Sequence, residues 1–520
     1  MKMHKGGKNN YIKEIQNFFG SLWKTRKPVA KLFQTRSMSY LYDTGSNKVL
    51  RCEPHVFYLL ECFFQMDIEK AIPAFISKYN EAQFEDAAQK IKETIEKEGI
   101  LMSTGASRFG LGDHYGDVGE LVDSSLRGIT LETTTSCNCR CDYCLYDKHF
   151  KEARDHGTSN MSLETAFKAI EYLKKHSYKK NTAAVTYYGG EPLLSFDFIK
   201  SCVEYAKTIL TEKTLEFSLT TNGTLLDSEI ASYFLENDFS IVVSIDGPKE
   251  IHDMYRKNIH GNGSFERAIT GLKTLVDTYG EKAEEKIMLS MVYTPPYSGE
   301  KIDRIAALWD EYPWLPKKMG VNITYPLEGT FPKDRLYLEN TNEDKDLDMW
   351  ASESFSHKYM KRADGHPISD SMKEKRLAQF MQRRIYHSLF DKYYMNGCCV
   401  PGVRKLFVSV DGTFLVCEKI SSKSPPIGNV FSGIDIDTIK KLYIEEYERE
   451  SIPYCSRCWA IRLCNICYVQ AFKNGILDVN RKSNSCGAEL FLKENFLKLF
   501  GTLIEINPGG LDYLYDFKLE

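Results

Sequence analysis

A repeated alternation of strand and helix patterns over residues 126–330 constrains the fold of this chain more than any other feature. Short apolar runs typical of buried strands are separated by amphipathic stretches typical of helices. Such an alternation predicts a parallel sheet with helices outside, and functional residues then lie at the carboxyl ends of the strands. We therefore predict an α/β fold, open or closed as a partial (β/α)6 barrel. The predicted strands are Gly128–Thr134, Ala183–Tyr188, Leu215–Thr221, Ile241–Ile245, Ile287–Tyr293 and Val321–Tyr325, and the predicted helices are Leu163–Lys175, Asp197–Leu210, Ser228–Asn237, Phe265–Tyr279 and Lys301–Asp310.

The cysteines form three groups along the chain. Of the 15 cysteines, only Cys52, Cys62 and Cys202 lie outside these groups, and they are predicted to be small buried apolar residues. The N-terminus lacks the apolar core of a signal peptide, and the densest apolar stretch, Val56 to Phe64, is far below the roughly 18 residues of a membrane span. We therefore expect a cytoplasmic protein in which grouped cysteines bind metal rather than form disulfides. The net charge of −3 gives no reason to expect nucleic-acid binding.

The first cysteine group directly follows the first predicted strand. Cys137, Cys141 and Cys144 have the spacing C-x3-C-x2-C, so that three thiolates can bind three irons of a cubane and leave the fourth iron open. A structural zinc site normally takes four ligands. The fourth candidate, Cys139, stands between two of the others, and we expect the loop to direct it elsewhere.

Polar motifs also follow the next three strands. Gly189-Gly190-Glu191-Pro192 ends the second strand and Thr220-Thr221-Asn222-Gly223 ends the third. Ser244 and Asp246 end the fourth strand on one face, and Arg256 comes shortly after them. Together with the cysteine loop, these motifs predict one site at the carboxyl edge of the sheet.

This combination resembles the radical S-adenosylmethionine (SAM) superfamily, in which an aromatic residue, here Tyr143, precedes the last cysteine of the loop. The resemblance implies a 4Fe-4S cluster whose open iron binds SAM and whose electron cleaves it to a 5′-deoxyadenosyl radical. It also implies that the strand-end motifs bind the cofactor: the glycines approach its methionine end, Glu191 accepts from its ammonium, Ser244 and Asp246 bond ribose hydroxyls, and Arg256 pairs with its carboxylate. The implied cofactor-binding residues are Tyr143, Gly189, Gly190, Glu191, Pro192, Thr221, Asn222, Ser244, Asp246 and Arg256.

The remaining cysteines resemble the SPASM extension of radical SAM enzymes, which carries two auxiliary 4Fe-4S clusters. Gly412 and Cys417 fit its G-x4-C motif, although only two residues separate Cys464 from Cys467 where the family has three. The resemblance implies a distal cluster and a proximal cluster, the latter with Cys398, Cys399 or both. The implied ligands are Cys455, Cys458, Cys464 and Cys486 for the distal cluster and Cys417, Cys467 and Cys398 or Cys399 for the proximal one. Two zinc sites are the alternative.

Glu418 follows the G-x4-C cysteine at the position where anaerobic sulfatase-maturing members carry an Asp that serves as base. A carboxylate is kept here but is one carbon longer, so a base role is the candidate catalytic assignment for Glu418.

Residues 29–105 predict three short strands, Lys31–Gln34, Ser39–Asp43 and Lys48–Arg51, followed by helices Pro54–Gln65, Ile68–Lys78 and Phe84–Glu98, with Gly99 as the stop. This order resembles the winged-helix-like (PqqD-like) element that binds leader peptides as an added strand. The alternative is a winged-helix scaffold that only packs on the barrel. The predicted divisions are a polar lead-in at 1–28, this unit at 29–105 followed by a linker over 106–120, the radical SAM core at 121–330, a helical bridge at 331–395 and the SPASM region at 396–520.

With these parts, the resemblance implies an oxidoreductase that modifies a ribosomally made precursor peptide, with a thioether crosslink from cysteine as the preferred product. A flavodoxin or ferredoxin-type protein is the expected electron donor, and neither nucleic acid nor membrane is an expected partner. Two alternatives remain open. One is a sulfatase maturase that forms formylglycine, and the other is a zinc-containing DNA-binding regulator.

Overall fold

The six β/α units form as predicted. The structure is a computed structural model that describes residues 5–23, 26–111, 117–146, 154, 156–326, 330, 346–361, 365–387 and 392–517. Its central sheet contains six parallel strands that lie side by side in chain order. These barrel strands, named first to sixth below, are Gly128–Thr134, Thr182–Gly189, Thr214–Thr221, Ser240–Ser244, Ile287–Val292 and Gly320–Thr324.

Helices cover the outer face of the sheet. Four of them match the predicted bounds within one or two residues: Leu163–His176, Phe196–Ile209, Ser228–Glu236 and Phe265–Tyr279. The fifth prediction, Lys301–Asp310, was wrong in its continuity, since two helices, Gly299–Ala306 and Leu308–Glu311, stand there. Ala307 separates them because its ψ of −8° departs from the helical value.

Alternation along the barrel strands separates an apolar outer face from a polar interior. Ile129 and Leu131 of the first strand belong to the large hydrophobic core with the outer helices. Thr130 of the same strand lines an interior cavity with Thr186 and Ser218 of the next two strands. The interior therefore offers hydrogen-bonding groups below the carboxyl edge of the sheet.

The C-terminal region extends the same sheet beyond the first barrel strand. Leu406–Val408 pairs in parallel with that strand, and Thr413–Leu415, Gly428–Asn429 and Gly433–Ile434 continue the sheet in antiparallel order. This extension places Cys417, two residues after Leu415, beside the barrel.

The N-terminal sheet unit has the predicted order of elements. An antiparallel sheet of Ala30–Gln34, Ser39–Asp43 and Lys48–Cys52 has its first and third strands at the edges. Three helices follow, namely Pro54–Gln65, Ile68–Lys78 and Glu81–Glu98. The last helix starts at an Asn80 capping box and ends at Gly99, whose φ of 65° is left-handed.

Two predictions for the flanks of this unit were wrong. The polar lead-in is not merely polar: Lys5–Leu22 is a helix, and Ile15 and Phe19 are buried in the core of the N-terminal sheet unit. Their spacing of four residues places them on one helix face. The predicted linker contains a strand, Arg108–Leu111, that pairs in parallel with Lys392–Met395, while residues 112–116 lie outside the described residues.

The bridge is mainly helical where it is described. Asp346–Lys361 and Pro367–Met381 pack together, and residues 331–345, 362–364 and 388–391 lie outside the described residues. The long helix Cys486–Ile506 then packs on one face of the N-terminal sheet, where Phe33 and Tyr40 share a buried cluster with Phe500.

Candidate functional site

The first cysteine loop is held by a small antiparallel ladder that the sequence did not predict. Cys139–Cys141 pairs with Arg256–Asn258, so that Cys141 lies opposite Arg256. The backbone N–H of Cys139 donates to Cys137 Sγ at 3.4 Å, and that of Tyr146 donates to Cys144 Sγ at 3.4 Å. Backbone donors of this kind stabilise thiolates. The loop therefore presents Cys137 and Cys144 with support for the charged, metal-binding form.

Cys139, which had no predicted role, supports Cys137. It is buried, at 3% exposure, and the hydrogen bond from its side chain holds the pKa of the Cys137 thiol below its usual value. Cys139 therefore contacts Cys137 within the loop, although the sequence indicated that the loop would direct it elsewhere.

The described cysteines are not gathered closely enough for a tetrahedral zinc site. Four thiolates bound at 2.3 Å to a tetrahedral zinc lie roughly 3.8 Å apart. Among the described residues, no three cysteines have sulphur atoms that all lie within 4.8 Å of one another. A 4Fe-4S cubane takes each thiolate on a different iron and needs wider spacing. The donor set of Cys137, Cys141 and Cys144 thus fits the iron–sulfur group.

The two glycines after the second barrel strand are required by the cysteine loop itself. A Cβ at Gly189 would overlap the carbonyl oxygen of Thr134, and one at Gly190 would overlap that of Ser136. The N–H groups of Gly190 and Glu191 donate to these same carbonyls, each at 2.8 Å. In the structure these glycines lie against the backbone of the cysteine loop. Their predicted contact with the cofactor stays a prediction. Pro192 opens the short 3₁₀ turn that follows.

Glu191 is fully buried and is bonded by the chain. Its carboxylate accepts from Thr221 Oγ1 at 2.7 Å, from the N–H of Asn222 at 2.7 Å and from that of Leu193 at 3.1 Å. Burial outweighs these donors and raises the pKa of Glu191 to about 7. Glu191 therefore ties the end of the third strand to the second, and its contact with a cofactor ammonium stays a prediction.

Asn222 connects this strand end to the cysteine loop. Its Nδ2 donates to Asn138 Oδ1 at 2.8 Å and lies 3.9 Å from Cys137 Sγ, while Asn138 Nδ2 donates to Thr224 Oγ1 at 2.8 Å. Asn138 and Thr224 were missed by the sequence analysis, because an amide within a cysteine loop carries no pattern of its own.

Asp246, Arg256 and Tyr143 meet at the fourth strand end. Asp246 accepts a hydrogen bond from the Tyr143 hydroxyl and another from the N–H of Val292, and it forms an ion pair of 3.0 Å with Arg256. Arg256 Nη1 lies 4.0 Å from Cys141 Sγ. The structure thus brings these three predicted residues together beside the cysteine loop. The predicted bonds from Asp246 and Ser244 to ribose, and from Arg256 to a cofactor carboxylate, remain predictions.

Two further polar residues lie behind this group. His252, 1% exposed, accepts from the N–H of Asp246 through Nδ1 at 3.4 Å and bonds Ser264 Oγ through Nε2 at 3.0 Å. Ser264 Oγ donates to the Arg256 carbonyl at 2.9 Å. Burial, with the charge of Arg256, lowers the pKa of His252 to about 4, so the ring is neutral. Neither residue could be identified from the sequence, because each reaches the site only after the fold has brought its segment there.

The C-terminal cysteines separate into two groups. In the first C-terminal group, burial raises the pKa of Cys398 and of Cys417, and the nearby Cys467 raises both further. The members of the first C-terminal group are Cys398, Cys399, Cys417 and Cys467, and those of the second C-terminal group are Cys455, Cys458, Cys464 and Cys486.

Cys464 and Cys467 fall into different groups although only two residues separate them. Cys467 is the residue before the short helix Tyr468–Ala471, and Cys399 is among the groups that raise its pKa after burial. Cys464 instead has Cys458 among the groups that raise its pKa. The assignment of these cysteines to a distal and a proximal cluster stays a prediction.

Glu418 lies between the barrel interior and a second cavity. It accepts from Lys405 Nζ at 2.6 and 2.7 Å. Burial favours the neutral acid, but the ammonium of Lys405 outweighs it and leaves the pKa of Glu418 below its usual value. Glu418 is therefore an anion at neutral pH.

The cavity beside Glu418 has a volume of about 390 Å³. Its wall includes Leu145, next to Cys144; Lys419, two residues after Cys417; and Ser485, next to Cys486. Arg154 also lines it and donates to the carbonyls of Glu418 and Ile420 at 2.9 and 3.3 Å. Residues adjacent in sequence to members of all three cysteine groups thus line one cavity.

Residues 131–308 match the family model described as the Radical SAM superfamily. The chain therefore contains a radical SAM domain, the part of an enzyme that uses a 4Fe-4S cluster and SAM. This match favours an enzyme over the zinc-containing DNA-binding regulator.

Two curated relatives match part of the chain. A cysteine-type anaerobic sulfatase-maturating enzyme of Clostridium novyi is 31% identical over 157 residues, and a serine-type one of Bacteroides thetaiotaomicron is 36% identical over 141 residues. The matched segments cover 29% and 27% of this chain and 40% and 34% of those relatives.

The fold also matches a solved structure described as native anSMEcpe with bound AdoMet and Cp18Cys peptide. The TM-score is 0.53 at 21% identity, with 74% of this chain and 98% of that chain covered. Among the described residues, none of the helices is long and apolar enough to span a bilayer.

Proposed function

We propose that this chain is a radical SAM maturase that oxidatively modifies a peptide held between the cysteine loop and the auxiliary cysteines. The observation that carries the proposal is the cavity of about 390 Å³, whose wall contains residues next to Cys144, Cys417 and Cys486. A substrate in this cavity would be within reach of all three sites. The solved structure of similar fold is described as holding both AdoMet and a peptide.

Eleven cysteines are proposed to hold three 4Fe-4S clusters. Cys137, Cys141 and Cys144 bind the cluster that takes SAM at its open iron, and the two C-terminal groups bind the auxiliary clusters. Cys398 and Cys399 both lie near Cys467, so the first C-terminal group offers four thiolates.

When bound, the cluster and SAM supply a 5′-deoxyadenosyl radical that abstracts a hydrogen atom from the peptide. The chain's own residues then act around the substrate. Glu418, kept anionic by Lys405, is the candidate base that takes a proton as the substrate is oxidised. The two C-terminal cysteine groups would hold auxiliary clusters that would supply an acceptor for the second electron, and a flavodoxin or ferredoxin-type protein is the proposed donor of the first.

The N-terminal sheet unit is proposed to bind the leader of a precursor peptide. Its strands Ala30–Gln34 and Lys48–Cys52 are edge strands, and an edge offers backbone donors and acceptors to an added strand. Leader binding favours a maturase of ribosomally made peptides over a sulfatase maturase, and a thioether crosslink from cysteine is the product that we prefer.

Formylglycine formation is the second candidate, and the curated relatives favour it because both are described as sulfatase-maturating enzymes. The fate of the sulphur separates the two products. A thioether retains the cysteine sulphur in the peptide, whereas conversion of cysteine to formylglycine expels it, and mass spectrometry of a treated cysteine peptide measures the difference.

Counting iron tests the three-cluster proposal. We expect the anaerobically reconstituted chain to hold about twelve irons and the Cys458→Ala variant to hold about eight, because one cubane loses a ligand. Cys202→Ala is the matched control, since this buried cysteine lies in a barrel helix away from the three groups. About four irons in the unmodified chain, with no loss in Cys458→Ala, would refute the auxiliary clusters.

A further inference from the structure

A separate cavity of about 250 Å³ lies where the N-terminal sheet unit, the bridge helix Pro367–Met381 and the second C-terminal cysteine group meet. Its wall contains Asn47 of the N-terminal sheet turn and Asn465, next to Cys464. It also contains five cationic side chains and no carboxylate; these are Arg376, Arg383, Arg384, Arg462 and Lys493. Such a lining selects an anion.

Arg383 is a cation without an anion among the described residues. Its Nε donates to the Asn47 carbonyl at 2.8 Å, its Nη1 donates to the Phe380 carbonyl at 2.6 Å, and it stacks at 3.8 Å over the Phe380 ring. No described carboxylate lies within ion-pair distance of it. Burial lowers the pKa of Arg383, because a charged guanidinium is less stable away from water.

Arg462 repeats this arrangement on the opposite wall. It is 8% exposed, donates to the Thr44 carbonyl at 2.7 Å and stacks over Tyr386 and Tyr393 at 4.1 and 4.4 Å. Again, none of the described carboxylates forms an ion pair with it. Carbonyls and rings position a guanidinium, but they do not neutralise it.

Acidic residues behind the wall are engaged by other cations. Glu489 pairs with Lys493 at 3.1 Å and accepts from the N–H of Asn465 at 2.7 Å. Asp348 forms a close ion pair with Lys373 at 2.6 Å and a longer one with Arg376 at 3.5 Å. The charge of the buried Asp43 carboxylate acts on Arg462 from beyond ion-pair distance, so among the described residues Arg383 is the cation that these acids leave unpaired.

We propose that this cavity binds an oxyanion, supplied by an acidic side chain of the peptide substrate. Two guanidinium groups match a carboxylate because their planar N–H groups bond both oxygens. The peptide is favoured over a free ion because the cavity borders the turn of the N-terminal sheet, beside the edge strand Lys48–Cys52. The identity of the peptide as substrate rests on the proposed function, whereas the anion site does not.

Binding to the reconstituted chain, measured by fluorescence anisotropy without SAM or reductant, tests this proposal. The probe is a labelled peptide of alternating Gly and Glu, with a Gly and Gln peptide of equal length and inorganic phosphate as competitors. We expect saturable binding of the Glu peptide that weakens with salt, and about tenfold weaker binding to both Arg383→Gln and Arg376→Gln. Arg376 is half-exposed and pairs weakly, so its replacement should leave the fold intact.

Arg304→Gln is the matched control. Arg304 has a similarly exposed side chain, but it pairs with Glu250 and Glu311 on the outer face of the barrel. Equal binding of the Glu and Gln peptides, or unchanged binding in both cavity variants, would overturn the site. Competition by phosphate with no binding of the Glu peptide would overturn the peptide as its source. Loss of SAM cleavage with intact binding would count against the proposed function alone.

Discussion

Replacing Cys137 with alanine will remove about four irons from the reconstituted chain and reduce SAM cleavage to background. The cubane loses one of only three thiolates, and each of them holds a different iron. Cys144→Ala should give the same result, because both sulphurs receive a backbone N–H at 3.4 Å in the same loop. Iron analysis and chromatography of 5′-deoxyadenosine measure the two effects.

Cys139→Ala is the control within the same loop. Cys139 supports Cys137 by a hydrogen bond and is not one of the proposed ligands, so this variant should retain its iron and most of its cleavage activity. Equal iron loss in Cys137→Ala and Cys139→Ala would contradict the ligand assignment.

Gly190→Ala will have the second largest effect. The added Cβ would overlap the backbone carbonyl of Ser136, and backbone cannot move aside as a flexible side chain can. We expect a destabilisation of about 1–3 kcal/mol together with a displaced cysteine loop. Thermal unfolding should show a lower Tm, and the iron count should fall by about four while the auxiliary clusters stay.

Gly299→Ala is the matched control, because a Cβ there meets nothing within 4 Å and the residue opens the helix Gly299–Ala306. Alanine favours helix, so its Tm should be unchanged or higher. An unchanged iron count in Gly190→Ala would show that the loop does not depend on this close approach.

The elements that were predicted correctly from the sequence are those with a regular hydrophobic periodicity. The barrel strands and most outer helices matched within one or two residues because their apolar patterns are regular. The ladder between Cys139–Cys141 and Arg256–Asn258 could not be predicted, since three-residue strands without an apolar pattern give no periodic signal. The burial of the helix Lys5–Leu22 was not predicted because Ile15 and Phe19 stand among polar residues.

The candidate site likewise contains residues that motifs identified and residues that only the folded structure reveals. The cysteine spacing and the strand-end motifs identified residues that the fold brings together, including Tyr143, Asp246 and Arg256. The supporting partners were not predictable, because the contacts of His252 with Ser264 and of Lys405 with Glu418 exist only after distant segments pack. That no described carboxylate pairs with Arg383 likewise depends on contacts that form only after these segments pack.

The central claim, that this chain is a radical SAM enzyme, is tested most directly by incubating the anaerobically reconstituted protein with SAM and dithionite. Chromatography and mass spectrometry then measure 5′-deoxyadenosine. We predict its formation together with methionine, dependent on reductant and on iron. Stoichiometric zinc in place of iron, with SAM left intact, would contradict the account.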